Sequence, residues 1–290
     1  MLALLAAVAL APADTVALAY TARYYSTDGK TKTHSQVYLS GIDGKGRKAF
    51  TKGTLECSAV RWVSKNALVW IQGTDEVSDL WYGTVDGKNR KKIGKVDYVV
   101  PSVSGNAREG GPVYALGQDY FQVTDGKLRK VEPVDNGWKG DKKWSSAGAS
   151  LTVTVRQWPF DWSYVLTSSG ASKGEDFSDQ NFSLEQVRED KATRRAWVVA
   201  FTGNSTNGGS YTVQEVDWRG ARLVTRCTGQ DVDYGWTRDL WATISTRELT
   251  PLGKGEVWIT TASVGNQRTG KTWNLPGKLV SFTSISLRPQ

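Results

Sequence analysis

Asp43-Gly44-Lys45-Gly46-Arg47-Lys48, Asp86-Gly87-Lys88-Asn89-Arg90-Lys91 and Asp125-Gly126-Lys127-Leu128-Arg129-Lys130 are three copies of one turn with a basic tail, each following an aromatic-rich alternating segment. The copies lie roughly forty residues apart, the period of a four-stranded propeller blade. Glycine accepts the positive φ that a tight primed turn demands, so an Asp-Gly pair between two alternating runs predicts a hairpin. The repeat predicts an all-β chain, a six-bladed β-propeller of four-stranded antiparallel blades. The alternative, seven blades, needs a further strand set between Val232 and Gln290.

Working outward from the turns, blade one covers residues 15–54, with strands at 16–21 and 36–42, and blade two repeats the pattern in full over 55–97. Blade three (98–137) runs into the third Asp-Gly turn. Blade four (138–182) contains the alternating strand 151–155, whose period of two suits one buried face. In blade five (183–231) Arg219-Gly220 stands where the earlier copies have Asp-Gly, and blade six takes the remainder, with strands at 256–261 and 279–287. Residues 184–195 are the single candidate for a helix, and they are polar and short. A blade cannot cover both of its faces alone, so the ring must close. The simplest closure pairs the first strand with the sheet containing the last, giving one domain over 14–290.

The chain has 290 residues, of which 39% are hydrophobic, enough for a sizeable core. Its long apolar run is at the start, residues 1–13, ending in small residues that read as an Ala-x-Ala cleavage site before Asp14. This predicts a secretory signal and a periplasmic or secreted protein. No Lys or Arg precedes the run, which departs from the usual basic start, and a buried first strand is the other reading. No stretch approaches the ~20 apolar residues of a membrane-spanning helix. The two cysteines, Cys57 and Cys227, fall on blades two and five, roughly opposite across the ring. That separation exceeds the ~4.4–6.8 Å between Cα atoms that a disulfide needs, so two separate buried thiols are expected.

The net charge is +8, and most of the excess sits before residue 145, with the repeated basic tails. Positive charge on one side of a disc suggests an acidic partner, such as a negatively charged envelope surface or an acidic protein. A solubilising edge is the plainer reading. Nucleic acid is not expected, since no nucleic-acid motif accompanies the charge.

Trp62-Val63-Ser64-Lys65-Asn66 before Ala67-Leu68-Val69-Trp70, and Trp144-Ser145-Ser146-Ala147-Gly148 before Leu151, stand about two blade periods apart. Together with strands ending in Asp-Gly and a basic tail, these segments resemble the propeller repeats of the TolB family and its periplasmic or secreted relatives. The resemblance covers blades one and two well, three and four partly, and five and six weakly. It implies a scaffold, and propellers host many unrelated functions. No counterpart of TolB's separate N-terminal domain is seen in this sequence, so the resemblance does not carry over a role in that envelope complex.

Chemistry is sparse. His34 is the single histidine, in a polar segment, which disfavours a Ser-His-Asp arrangement and a zinc or transition-metal site. It also argues against the propeller lyases that resemble TolB repeats and hold a metal with several histidines. Glu56, Asp161, Asp231, Asp233 and Asp239 lie near strand ends and are the candidates for a carboxylate pair of the glycosidase kind. Among the thirteen tryptophans, Trp62, Trp70, Trp81, Trp197 and Trp258 lie inside strand patterns and are expected in the core. Trp158, Trp162, Trp236 and Trp241, with Asp161, lie in less regular segments and are the expected ligand-binding residues, because surface-loop aromatics serve recognition. The sequence therefore predicts a monomeric, exported, non-enzymatic binding scaffold for a protein or envelope component, without a cofactor or metal. The alternative is a propeller that binds or processes carbohydrate with loop aromatics and a carboxylate pair.

Overall fold

A computed structural model of the chain describes residues 16–289, apart from 29, 31–33, 74–76, 100–112, 132–139, 147, 158–159, 169–170, 179–181, 191–192, 205–207 and 236–238. The apolar run at 1–13 lies outside the described residues. Among the described residues there is no helix, and the strands form six four-stranded antiparallel sheets.

Sheet one begins with β1 (Leu18–Tyr24), β2 (Gln36–Ser40) and β3 (Lys48–Ala49). Sheet two is β4 (Cys57–Ser64), β5 (Ala67–Gln72), β6 (Ser78–Thr84) and β7 (Lys91–Val96). Sheet three is β8 (Tyr98–Val99), β9 (Val113–Leu116), β10 (Asp119–Thr124) and β11 (Lys127–Val131). Sheet four is β12 (Gly140–Ser146), β13 (Ala149–Gln157), β14 (Asp161–Ser168) and β15 (Ala171–Phe177). Sheet five is β16 (Phe182–Asp190), β17 (Arg195–Asn204), β18 (Gly208–Asp217) and β19 (Arg222–Gly229). Sheet six is β20 (Asp231–Gly235), β21 (Leu240–Leu252), β22 (Gly255–Asn266) and β23 (Thr272–Asn274). The last strand, β24 (Val280–Leu287), completes sheet one by pairing with β1, Leu18 opposite Leu287 and Tyr20 opposite Ile285.

Local pattern explains most of these strands. In β13 the buried Ala149, Leu151, Val153 and Val155 alternate with partly exposed Ser150, Thr152 and Thr154, the period of two. In β5 Ala67 to Ile71 are all buried, because a middle strand has a neighbouring sheet on each side. Residues 184–190 are not helical but belong to β16, where Leu184 packs against Ala196, Val198 and Ala200 of β17; residues 191–192 lie outside the described residues, and Thr193 and Arg194 form a turn before Arg195 opens β17. Polar composition there reflects a strand with one apolar face.

The three Asp-Gly turns are not alike. Asp125 and Gly126 both have positive φ, 52° and 67°, and join Thr124 to Lys127 as the expected two-residue primed turn. At Asp43-Gly44 and Asp86-Gly87 only the glycine is left-handed, φ 74° at each. There the Asp carboxylate accepts the backbone N–H two residues on, from Lys45 at 3.0 Å and Lys88 at 3.1 Å, which makes a longer Asx-type turn.

Sheet one is held to its neighbours through β24. Its free edge would leave backbone N–H groups buried without acceptors. Asp231 on β20 accepts from Ile285 N (2.8 Å) and Asp233 accepts from Leu287 N (2.8 Å) and from Ser286 Oγ. On the other side Val60 N and Trp62 N of β4 donate to the hydroxyls of Ser284 and Ser286. Arg61 on β4 forks onto Asp231 (3.1 and 2.8 Å) and also donates to the Ile285 carbonyl.

These bonds align β4, β20 and β24 in one direction. Four antiparallel strands return the chain to the face it started from, so each sheet hands over to the next at a common face. Among the described residues, this crossover face carries the sheet-to-sheet links and the second-to-third-strand loops. The opposite, turn face carries the three Asp-Gly turns, the Lys65-Asn66 turn, and the chain's approach and exit at Val16 and Arg288. Arg288 confirms it by donating to the carbonyls of Lys65 (2.6 Å) and Val16 (2.9 Å). Both cysteines are free and buried, as expected.

Removing one partner of a buried ion pair leaves the other uncompensated and costs about 3–5 kcal/mol. Arg61→Ala is expected to lower unfolding free energy by about that amount in a denaturant melt at neutral pH; a loss below about 1 kcal/mol, the range of an exposed pair, would refute a latch role for the pair.

Candidate functional site

Of the expected ligand-binding residues, Trp158 and Trp236 lie outside the described residues. Trp162 does not sit in a surface loop. It is fully buried in β14, its ring stacked on Phe177 at 4.3 Å between centroids, within the core shared by sheets four and five. Trp241, at the start of β21, is half-buried and packs beside Trp197, Val213 and Tyr234. Asp161 is half-buried and accepts from Arg156 at 2.7 Å, and Arg156 also binds Asp176. Conversely Trp258, expected in the core, is 43% exposed on β22, while Trp62, Trp70 and Trp197 are buried as expected.

The candidate carboxylates are held by structural partners. Glu56 accepts from Arg23 (2.7 Å) and Ser35 N (2.7 Å) and faces His34 Nδ1 at 3.2 Å. Asp239 binds Arg195, whose guanidinium also meets Glu215 at 2.6 Å and the Tyr234 hydroxyl at 2.7 Å, tying sheets five and six together at the turn face. Asp231 and Asp233, two residues apart on β20, share one side of that strand, and both serve β24. A carboxylate committed to a guanidinium fork and a backbone N–H is not poised to move a proton. Burial pushes the Asp233 carboxyl up to about 6, against the stabilising Leu287 N–H and the nearby Arg61. Burial likewise raises the Cys227 thiol, to about 12, so it is no nucleophile near neutral pH.

The connections offer what the sheets do not. Leu55, Val77, Leu116, Phe160, Leu249 and Trp258 are exposed large apolar side chains, and all six belong to the crossover face. Val165, in the middle of β14, is the further exposed one among the described residues. Leu55 is 58% exposed in the link from β3 to β4. Leu249 and Trp258 form a cross-strand pair on the β21–β22 hairpin, which outruns its neighbours: β20 pairs β21 over Leu240–Ile244, and β23 pairs β22 over Ser263–Gly265. Two signals in the sequence point there: an apolar Leu55 among Gly53, Thr54 and Glu56, and the length of the alternating segment 240–266.

No protein-family model matches the chain, and no curated protein matches it in sequence. The sheets and their order define a β-propeller among solved structures: TolB from Acinetobacter baumannii superposes with a TM-score of 0.54 at 9% identity, over 95% of this chain and 67% of that one. A protein from Lactobacillus plantarum aligns with a TM-score of 0.42 at 10% identity, over 94% of this chain and 99% of that one. The fold is TolB-like, as the repeat motifs of the first two sheets imply; at this identity the likeness is one of architecture.

Asp233 gives a pH signature. Its folded value, about 6, exceeds the ordinary 3.8. The folded state therefore holds a proton that the unfolded chain releases, and this contribution is complete below about pH 4 and lost as pH rises through about 6. Asp233→Asn keeps the acceptor for Leu287 N without the charge. The variant is expected to unfold at higher temperature than the wild type at about pH 8, with the difference shrinking toward about pH 5. Equal melting temperatures at both pH values would contradict the assignment.

Proposed function

We propose that the six sheets are the blades of one closed ring, that residues 1–13 are a secretory signal, and that the 14–290 domain is an exported, monomeric, non-enzymatic scaffold in the periplasm or outside the cell. Its ligand is a protein or another envelope component, and it binds at the crossover face. The observation that carries this reading is the set of exposed apolar side chains on that face, with Leu249 and Trp258 raised above the disc on the long hairpin. Leu249 and Trp258 are cross-strand neighbours and so make one contiguous apolar patch, the kind that marks an interaction surface. A rigid ring holds them in fixed relation, so little ordering entropy opposes binding. Asp161, next to Phe160 on the same face, takes part in binding there.

The carbohydrate reading has less support. Trp162 is in the core, and the carboxylates on β20 are engaged with β24. The arrangement supports recognition rather than hydrolysis.

Photo-crosslinkers placed at Leu55 and at Trp258 are expected to capture one and the same partner from envelope extract, while a crosslinker at Lys88 on the turn face does not. Central apolar anchors are each worth about 2 kcal/mol or more. The triple variant Leu55→Ser, Leu249→Ser, Trp258→Ser is therefore expected to weaken that capture at least about tenfold at unchanged melting temperature. Undiminished capture by a folded triple variant would reject the crossover face as the binding surface.

A further inference from the structure

The β21–β22 hairpin presents main-chain groups as well as side chains. Backbone N–H and C=O groups along a strand turn to one neighbour and then the other, with a period of two. Asn266 N donates to the Lys271 carbonyl (2.8 Å), and the Ala262 carbonyl accepts from Leu275 N (2.8 Å). The even-numbered residues of β22 therefore turn their main-chain groups away from β21, toward the side of β23. Glu256 and Thr260 turn theirs to the same edge by that period, while Val257 and Ile259 serve the ladder with β21.

β23 does not follow β22 to the tip of the hairpin. It pairs over Ser263–Gly265, and Leu275 N makes the last rung before Pro276, which has no N–H to continue it. From Gly255 to Thr261 no strand pairs with this edge among the described residues. The space beside it is open: Glu256 and Trp258 are exposed, and a Cβ placed on Gly255 would meet nothing within 4 Å.

The two edges of the hairpin are not equivalent. Glu256 is in register with Pro251, so the outward position on β21 has no N–H to offer. Proline on an edge closes it to further strands. On β22 the stretch Gly255-Glu256-Val257-Trp258-Ile259-Thr260-Thr261 contains no proline and is rich in β-branched and aromatic residues, the composition of a strand that accepts a neighbour.

Hydrogen-bond chemistry selects the occupant. N–H and C=O groups repeating at the strand period are matched by an extended peptide backbone, and neither a sugar nor a lipid headgroup carries such a periodic set. Leu249 and Trp258 lie on one face of this hairpin, where an apolar side chain of an added strand, opposite Trp258, enlarges their patch. We propose that β22 receives an extended segment of a partner polypeptide as an additional strand over residues 255–261, in line with β23. This mode of binding rests on the crossover face being the binding surface. It specifies what the partner presents there: an extended segment held through its main chain, with an apolar residue against Trp258.

The probe is a phage-displayed library of random peptides about seven residues long, the length of an ordinary strand, selected on the full chain. Selected peptides are expected to carry alternating apolar residues and to slow hydrogen exchange of the Glu256 amide. In the unbound chain that amide is expected to exchange rapidly, while the amides of Val257 and Ile259 are protected by the ladder with β21. Glu256→Pro removes the outward N–H without touching that ladder, and is expected to weaken the peptides at least about fivefold, the factor of one hydrogen bond. Glu256→Ala keeps the N–H and is expected to retain them. Melting temperatures establish that both variants fold, and the exchange measurement needs neither. Failure to select any peptide, equal affinity of the two variants, or a Glu256 amide already protected in the unbound chain overturns the proposal. A chain that sediments as a dimer, with Glu256→Pro monomeric, assigns the edge to a second copy and overturns it as well. Crosslinking of one envelope partner at Leu55 and Trp258, together with peptide binding that ignores Glu256→Pro, rejects the added strand and leaves the crossover face standing as the binding surface.

Discussion

The unpaired inner edge of β24 is the constraint around which the fold is arranged. Sheet one contains the beginning and the end of the chain, so its β1–β24 pairing joins residues more than 250 positions apart. The edge facing away from β1 would be a row of buried, unsatisfied donors. Two carboxylates from β20 accept them, and two serines of β24 accept from β4. Arg61 neutralises Asp231 within the same cluster. The sheets beside sheet one are thus fastened to it by polar contacts along β24 and by apolar packing between the sheets.

That arrangement occupies the faces of the sheets and the carboxylates of β20. Side chains on the faces of the sheets are taken up by the neighbouring sheet: Trp62 and Trp70 pack with Ala19 and Val37, and Trp162 with Leu184 and Val198. Asp231 and Asp233 serve β24. The connections lie outside this packing, and the even strand number per sheet sorts them onto two faces. The exposed large apolar side chains among the described residues, Val165 apart, lie on the crossover face. Neither surface requires a moving part, because each is a set of turns fixed at strand ends.

How much of this was legible varied from residue to residue. The Asp-Gly turns and alternation such as that of β13 are local properties, set by glycine's access to positive φ and by a period of two, and strands were assigned from them well. Residues 184–195 were the single candidate for a helix, polar and short; of these, 184–190 form a strand because they pair with the apolar β17. Trp162 and Trp258 exchanged expected places. Trp162 lies beside Pro159 and Phe160, which suggests a loop, yet its position in β14 turns it toward Phe177. Trp258 lies in a regular alternating run, but the hairpin outgrows the sheets that would have covered it.

The amino-acid sequence by itself determined the four-stranded repeat, the Asp-Gly turn positions, the buried thiols and the single histidine, because each of these follows from local geometry or from counting. The tertiary structure decided that Asp231 and Asp233 are latches for the last strand, and which of the described tryptophans are buried. Those depend on side chains far apart along the chain meeting across sheets, and on the direction in which each strand runs. Neither is encoded by any one segment read alone.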